Sequence, residues 1–129
     1  MDAVLDRLEQ LDSELLQRFA TAGQPRDTGE LAEQLAAMVV AFMGQQASLT
    51  RARLALSLDS PEAVTAGHYR LVGGLEQALT MLGVVDAPGR ARDLADYGDG
   101  VLLHLLTVRR DEQPDAAAIA AALRRLLTP

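Results

Sequence analysis

Two histidines, four serines and one Gly-x-Gly step are the residues of this 129-residue chain best able to do chemistry, and each stands alone. His68 and His104 have no second histidine three to five residues away and no glutamate three before them, so neither carries a helical metal-ligand spacing. The serines, Ser13, Ser48, Ser57 and Ser60, lie in no nucleophile-elbow sequence. Gly98-x-Gly100 lacks the third glycine of a dinucleotide loop and falls inside an amphipathic segment. With no cysteine there is no disulfide and no thiolate site. Eighteen acids could always pair somewhere in space, so their number selects nothing. The expectation is a protein that is not an enzyme and holds no cofactor and no metal.

His68 is more informative as a binding residue. It occupies the apolar stripe Val64, His68, Leu71, Leu75, Leu79, Leu82, where a leucine would serve a plain core. A buried imidazole must be hydrogen-bonded, so it is either a satisfied core residue or part of a cavity wall. Met38, Phe42 and Met43 read the same two ways, since thioethers fill irregular cores and also line adaptable pockets.

The elements that would position these residues are helices. Hydrophobic residues make up 49% of the chain, alanine and leucine dominate them, and aromatic residues are 3%, a balance that favours helix over strand. Five or six helices are expected: Asp2 to Thr21, Asp27 to Gly44, a short one capped by Ser48, Ser60-Pro61-Glu62 to Leu82, Pro88 to Val108, and Pro114 to Leu127. Gly23 and Gly83 read as stops, Asp27 with Glu30 as a capping pair, and Pro61 as a first-turn proline. No linker, repeat or low-complexity tract interrupts them, so residues 1–129 read as one all-α domain. The first helix starts almost at residue 1 with no capping sequence before it, as though a longer chain had been cut there.

Charge narrows the partners. The net charge of −6 gives no general attraction to a phosphate backbone, and no basic cluster exceeds an arginine pair. All twelve basic residues are arginine, which together with the alanine content looks like GC-rich bacterial coding. The apolar runs are too short to span a bilayer and Met1 leads into acids rather than a basic signal region. The expected setting is cytoplasmic, with no membrane and no nucleic acid bound by this chain directly.

In the fifth helix two mid-helix glycines cost roughly 1 kcal/mol each against alanine, a cost a helix keeps when something must approach its backbone closely. The stripe Ala91, Leu94, Gly98, Val101, Leu102, Leu105, with Tyr97, His104 and Val108 beside it, is therefore expected to be a self-associating face. The alternative is that one or both glycines are tolerated on an exposed side.

The run Pro88-Gly-Arg-Ala-Arg-Asp-Leu-Ala-Asp-Tyr-Gly-Asp99-Gly100-Val-Leu-Leu-His104, followed by Pro114-Asp115 and a short Ala/Leu helix ending in Arg124-Arg125-Leu126-Leu127, resembles the C-terminal part of TetR-family transcriptional regulators. LDRLEQLDSELL near the start resembles the family's helix joining the DNA-binding head to the regulatory body, and RARLALSLDS its mid-body segment. The resemblance implies a homodimer in which the last two helices pack against their copies as a four-helix bundle through Tyr97, Gly98, Gly100, Val101, His104, Leu105, Val108, Ile119, Leu123 and Leu126. It also implies a cavity among the first four helices for a small, largely apolar effector, with Leu15, Phe19, Met38, Phe42, Arg53, Leu54, His68, Tyr69 and Val72 as candidate lining residues. Effector binding in such regulators shifts a two-state equilibrium and releases the operator. The helix-turn-helix head that family members carry is expected to be missing from this chain. A second function class stays open beside this one: a helical dimerisation or interaction module with a filled core and no ligand.

Overall fold

The computed structural model describes the backbone of residues 2–44 and 47–128, with side chains except at positions 2, 12, 15, 16, 19 and 20. Six helices occupy the described residues, with no strand among them: α1 (Asp2–Ala22), α2 (Thr28–Met43), α3 (Ala47–Asp59), α4 (Glu62–Met81), α5 (Ala87–Leu106) and α6 (Ala116–Leu127). The all-α expectation holds, and the helix limits fall within two residues of those read from caps and breakers.

The limits have local causes. Asp27 and Asp115, both in extended backbone, accept from the amides of Glu30 and Ala118 and so satisfy donors that the first turns of α2 and α6 leave open. Asp86 caps α5 from the left-handed region at φ 56°, accepting from Gly89 N; a Cβ on Gly89 would collide with that carboxylate. At the end of α4, Gly83 N donates to Thr80 O and Val84 N to Leu79 O, the paired bonds of a Schellman turn, and Gly83 supplies its left-handed φ of 74°. Two expected starts differ. Helix α3 already begins at Ala47, which places Ser48 inside its first turn. Before α4 it is the Ser60 carbonyl, not a side chain, that meets the first-turn amide of Ala63.

Helix α2 packs most extensively on α6, and α4 on α5. Between them lies the main core, in which Leu31, Ala32, Leu79 and Ala91 are completely buried beside Leu75, Leu94, Leu105, Ile119 and Leu123. Polar links hold the same pairs from outside: Arg124 donates to Glu33 at 2.7 Å across α6 and α2, and Arg90 donates to the Leu126 carbonyl at the end of α6. Thr50, the one buried polar residue among those described, donates to the Phe42 carbonyl and ties α3 to the last turn of α2.

The expectation for α5 needs correction. Ala91, Leu94, Val101 and Leu105 are buried within the chain itself, as are Ile119 and Leu123 of α6. Their stripe is the contact of α5 and α6 with the chain's own core, so Val101, Leu105, Ile119 and Leu123, at most 7% exposed, offer little surface to a second copy. Helical periodicity identifies a face that must be covered, but not what covers it. The two glycines are not explained from within the chain either, because a Cβ at Gly98 or Gly100 would meet nothing within 4 Å.

Candidate functional site

Packing is incomplete where α3 and the N-terminal half of α4 approach α2 and α5. Here the helices enclose a cavity of about 260 Å³, with α6 closing its far side. The wall from α4 is the stripe Val64, Gly67, His68, Leu71 and Leu75, spaced three or four residues apart so that all face one way. The wall from α5 is Leu94, Ala95, Tyr97, Gly98, Asp99 and Leu102. Helix α2 contributes Leu35, Met38, Val39 and Phe42, α3 contributes Thr50, Arg53, Leu54 and Ser57, and Ile119 and Leu123 of α6 complete the lining.

The lining is polarised. Leu35, Val39, Leu75, Leu94, Ile119 and Leu123 are buried and form an apolar inner end. His68 and Asp99 line the same cavity but are exposed residues, which puts them at its mouth. The sequence leads one to expect a buried imidazole at position 68. The structure instead leaves the ring exposed, with an edge-on contact to Tyr69 at 5.4 Å between centroids, because its stripe faces a hollow rather than a packed neighbour.

Asp99 is the one carboxylate on this wall. Partly lost hydration raises its pKa above the ordinary carboxylate value; the neighbouring His68 pulls it partway back, Asp96 one turn earlier pushes it up, and Arg53 opposes that. No metal-binding cluster of three or more histidine or acidic side chains occurs among the described residues.

Of the residues expected to line a ligand cavity, Met38, Phe42, Arg53, Leu54 and His68 stand on this wall. Tyr69 does not: at 63% exposure it lies on the outer side of α4. Val72 packs half-buried against the main core. The side chains of Leu15 and Phe19 lie outside the described ones. Tyr97, Gly98, Ile119 and Leu123, expected at an interface between copies, line the cavity instead. Gly100 is half-buried, His104 and Val108 are exposed, and Leu126 is half-buried against the core. Sequence reasoning passes over Thr50, Ser57 and Asp99, because a hydroxyl or carboxylate on a surface-length helix reads as solvated. The available signal for Asp99 was its place one residue from an apolar stripe, between two glycines.

Six helices with a polarised hollow define an all-helical domain with a preformed small-molecule-sized cavity. The chain belongs to the family of tetracyclin repressor-like C-terminal domains, whose profile matches residues 26–129, from just before α2 through α6. Domains of that family are regulatory, typically dimerising and binding small-molecule effectors. No curated protein and no solved structure matches the chain. No helix among the described residues is long and apolar enough to cross a membrane.

Proposed function

We propose that this chain is the effector-sensing and dimerisation domain of a cytoplasmic TetR-like transcriptional repressor, binding a small, largely apolar molecule in the cavity beneath His68 and relaying its presence to a DNA-binding domain. The observation that carries this reading is the cavity, together with membership of the family. At about 260 Å³ it sits just under the usual range of small-molecule sites, roughly 300–1,000 Å³. It also has the usual composition, apolar walls with a few polar groups at one end. A filled-core interaction module, the competing reading, leaves a hollow of this size without a purpose.

Gly98 offers the direct test. Its missing Cβ borders open space on the cavity wall, so Gly98→Leu fills the hollow without displacing backbone. Wild type is expected to bind a neutral apolar probe of matching size, 1-octanol, by titration calorimetry in its folded state, and Gly98→Leu to lose at least tenfold in affinity while melting no earlier. Equal binding by the two proteins refutes the cavity as the site.

For the homodimer, the face available is the outer side of α5 and its exit: Gly100, Leu103, His104 and Val108, with Leu103 45% and Val108 80% exposed. A two-fold isologous contact there would bury these apolar groups and give Gly100 its reason. Light scattering at micromolar concentration is expected to give twice the chain mass, and Gly100→Leu to shift it to a monomer.

A further inference from the structure

Resting on the reading of the cavity as an effector site, we propose that its ligand is a compact apolar amine, with the hydrocarbon body at the inner end and one protonated nitrogen held at the mouth by Asp99.

The argument is a count of donors and acceptors at the polar end. Thr50 Oγ1 already donates to the Phe42 carbonyl at 3.0 Å, and Ser57 Oγ to the Arg53 carbonyl at 2.9 Å. Both hydroxyl protons are committed to backbone. Arg53 is itself engaged with other groups. Asp99 is different: a carboxylate accepts only, with room for several donors, and among the described residues it accepts no hydrogen bond and forms no ion pair. It has nevertheless lost enough water for its charged form to be disfavoured. Arg53 and His68 line the same end and act on Asp99 through space, but neither bonds to it, so an acceptor stays open there for a positively charged donor on a ligand. An ammonium is donor-only with three protons, and its bond to a carboxylate is of the charge-assisted, stronger kind. Asp96 adds negative potential one turn away, and the chain's net charge of −6 draws cations towards it at long range.

Size sets the body. At the ~30 Å³ that a water takes in the liquid, 260 Å³ holds roughly nine such volumes, a linear or branched ligand of about nine or ten non-hydrogen atoms. The inner wall of Leu35, Val39, Leu75, Leu94, Ile119 and Leu123 offers a hydrocarbon of that length no polar partner and needs none.

Titration calorimetry of the whole chain at neutral pH with three matched probes, 1-octylamine, 1-octanol and octanoate, tests this. The amine is expected to bind at least tenfold more tightly than either of the others. In Asp99→Asn, checked for an unchanged fold by circular dichroism, that preference is expected to vanish while octanol binds as before. Octanol equal to the amine in wild type, or an amine preference that survives Asp99→Asn, overturns the role of Asp99. Octanoate binding tightest overturns the amine and assigns the mouth to Arg53 and His68, leaving the effector cavity in place. Failure of all three to bind overturns both the amine and the cavity reading on which it stands.

Discussion

Helix α4 runs from a hollow into a solid. Its C-terminal half places Leu75 and Leu79 among α2, α5 and α6, where Leu79 has no exposed surface at all. Its N-terminal half carries the same stripe onward through Leu71, His68 and Val64, but there the neighbours stand back and leave a cavity. One apolar periodicity thus does two jobs along twenty residues. What differs is the opposing surface: Leu79 lies wholly within the buried aliphatic core, whereas α3 sets Thr50, Arg53, Leu54 and Ser57 around the hollow. Stability is expected to be concentrated in the first region and adaptability in the second.

The largest expected effect breaks the solid end. Leu79→Ala removes a fully buried side chain where surrounding helices cannot collapse, and is expected to cost about 3 kcal/mol. Leu71→Ala, half-buried beside existing empty space, is expected to cost about 1 kcal/mol. Urea denaturation midpoints compare the two. Equal losses would mean that the hollow end is as tightly determined as the solid one.

A smaller effect separates helices by their caps. The solid-end helices α2 and α6 each start on an aspartate that accepts an amide three residues on, at 2.8 Å for Asp27 and 3.0 Å for Asp115. Removing either acceptor, as Asp27→Ala or Asp115→Ala, is expected to lower stability by about 1 kcal/mol. Thermal melts followed by circular dichroism would show it, and a loss near zero would place the stability of these helices wholly in their packing.

These contrasts also show what the sequence could and could not tell. The cores of α2 and α6 were legible, because leucines three and four residues apart and aspartates just before them are local signals of a helix and its start. The cavity was legible only in part. Phe42, Met38 and His68 looked like residues with two roles, and pattern alone cannot decide between a packed and an empty neighbour. Asp99 was not legible, since its meaning comes from α3 and α4 across the hollow. The direction of α5 failed for the same reason: Val101 and Leu105 mark a face that must be covered, and whether the chain or a copy covers it depends on where α2 and α6 lie.

Asp99 gives the hollow end a pH signature. Partial loss of hydration at the cavity mouth raises its pKa, so above the ordinary value of 3.8 the folded chain holds this proton more tightly than the unfolded chain does. Stability from this group is therefore greatest in acid and declines as pH rises through the window between the ordinary and the raised value. The groups facing it, Arg53 from α3, His68 from α4 and Asp96 from α5, set the width of that window. Asp99→Asn removes the decline and is expected to be the more stable protein at neutral pH, with the advantage disappearing in acid. Melts of both proteins from acid to neutral pH test this; parallel curves would mean that Asp99 is as well hydrated folded as unfolded.

The smallest effect expected belongs to the most visible contact. Arg124 and Glu33 join α6 to α2 at 2.7 Å over the solid end, where the strongest packing lies, yet their side chains remain 46% and 66% exposed. In water at that exposure the attraction is offset by hydration and by the freedom two long side chains give up, so a double-mutant cycle with Arg124→Ala and Glu33→Ala is expected to return a coupling of roughly 0.2–1 kcal/mol, falling further at high salt as screening shortens the reach of both charges. A coupling well above that would mean that the helix pair needs an ionic clasp in addition to Leu31, Leu35, Ile119 and Leu123. The lower value is the physically consistent one: the apolar contact beneath fixes the distance between α2 and α6, and the ion pair forms because packing has already brought its partners within reach.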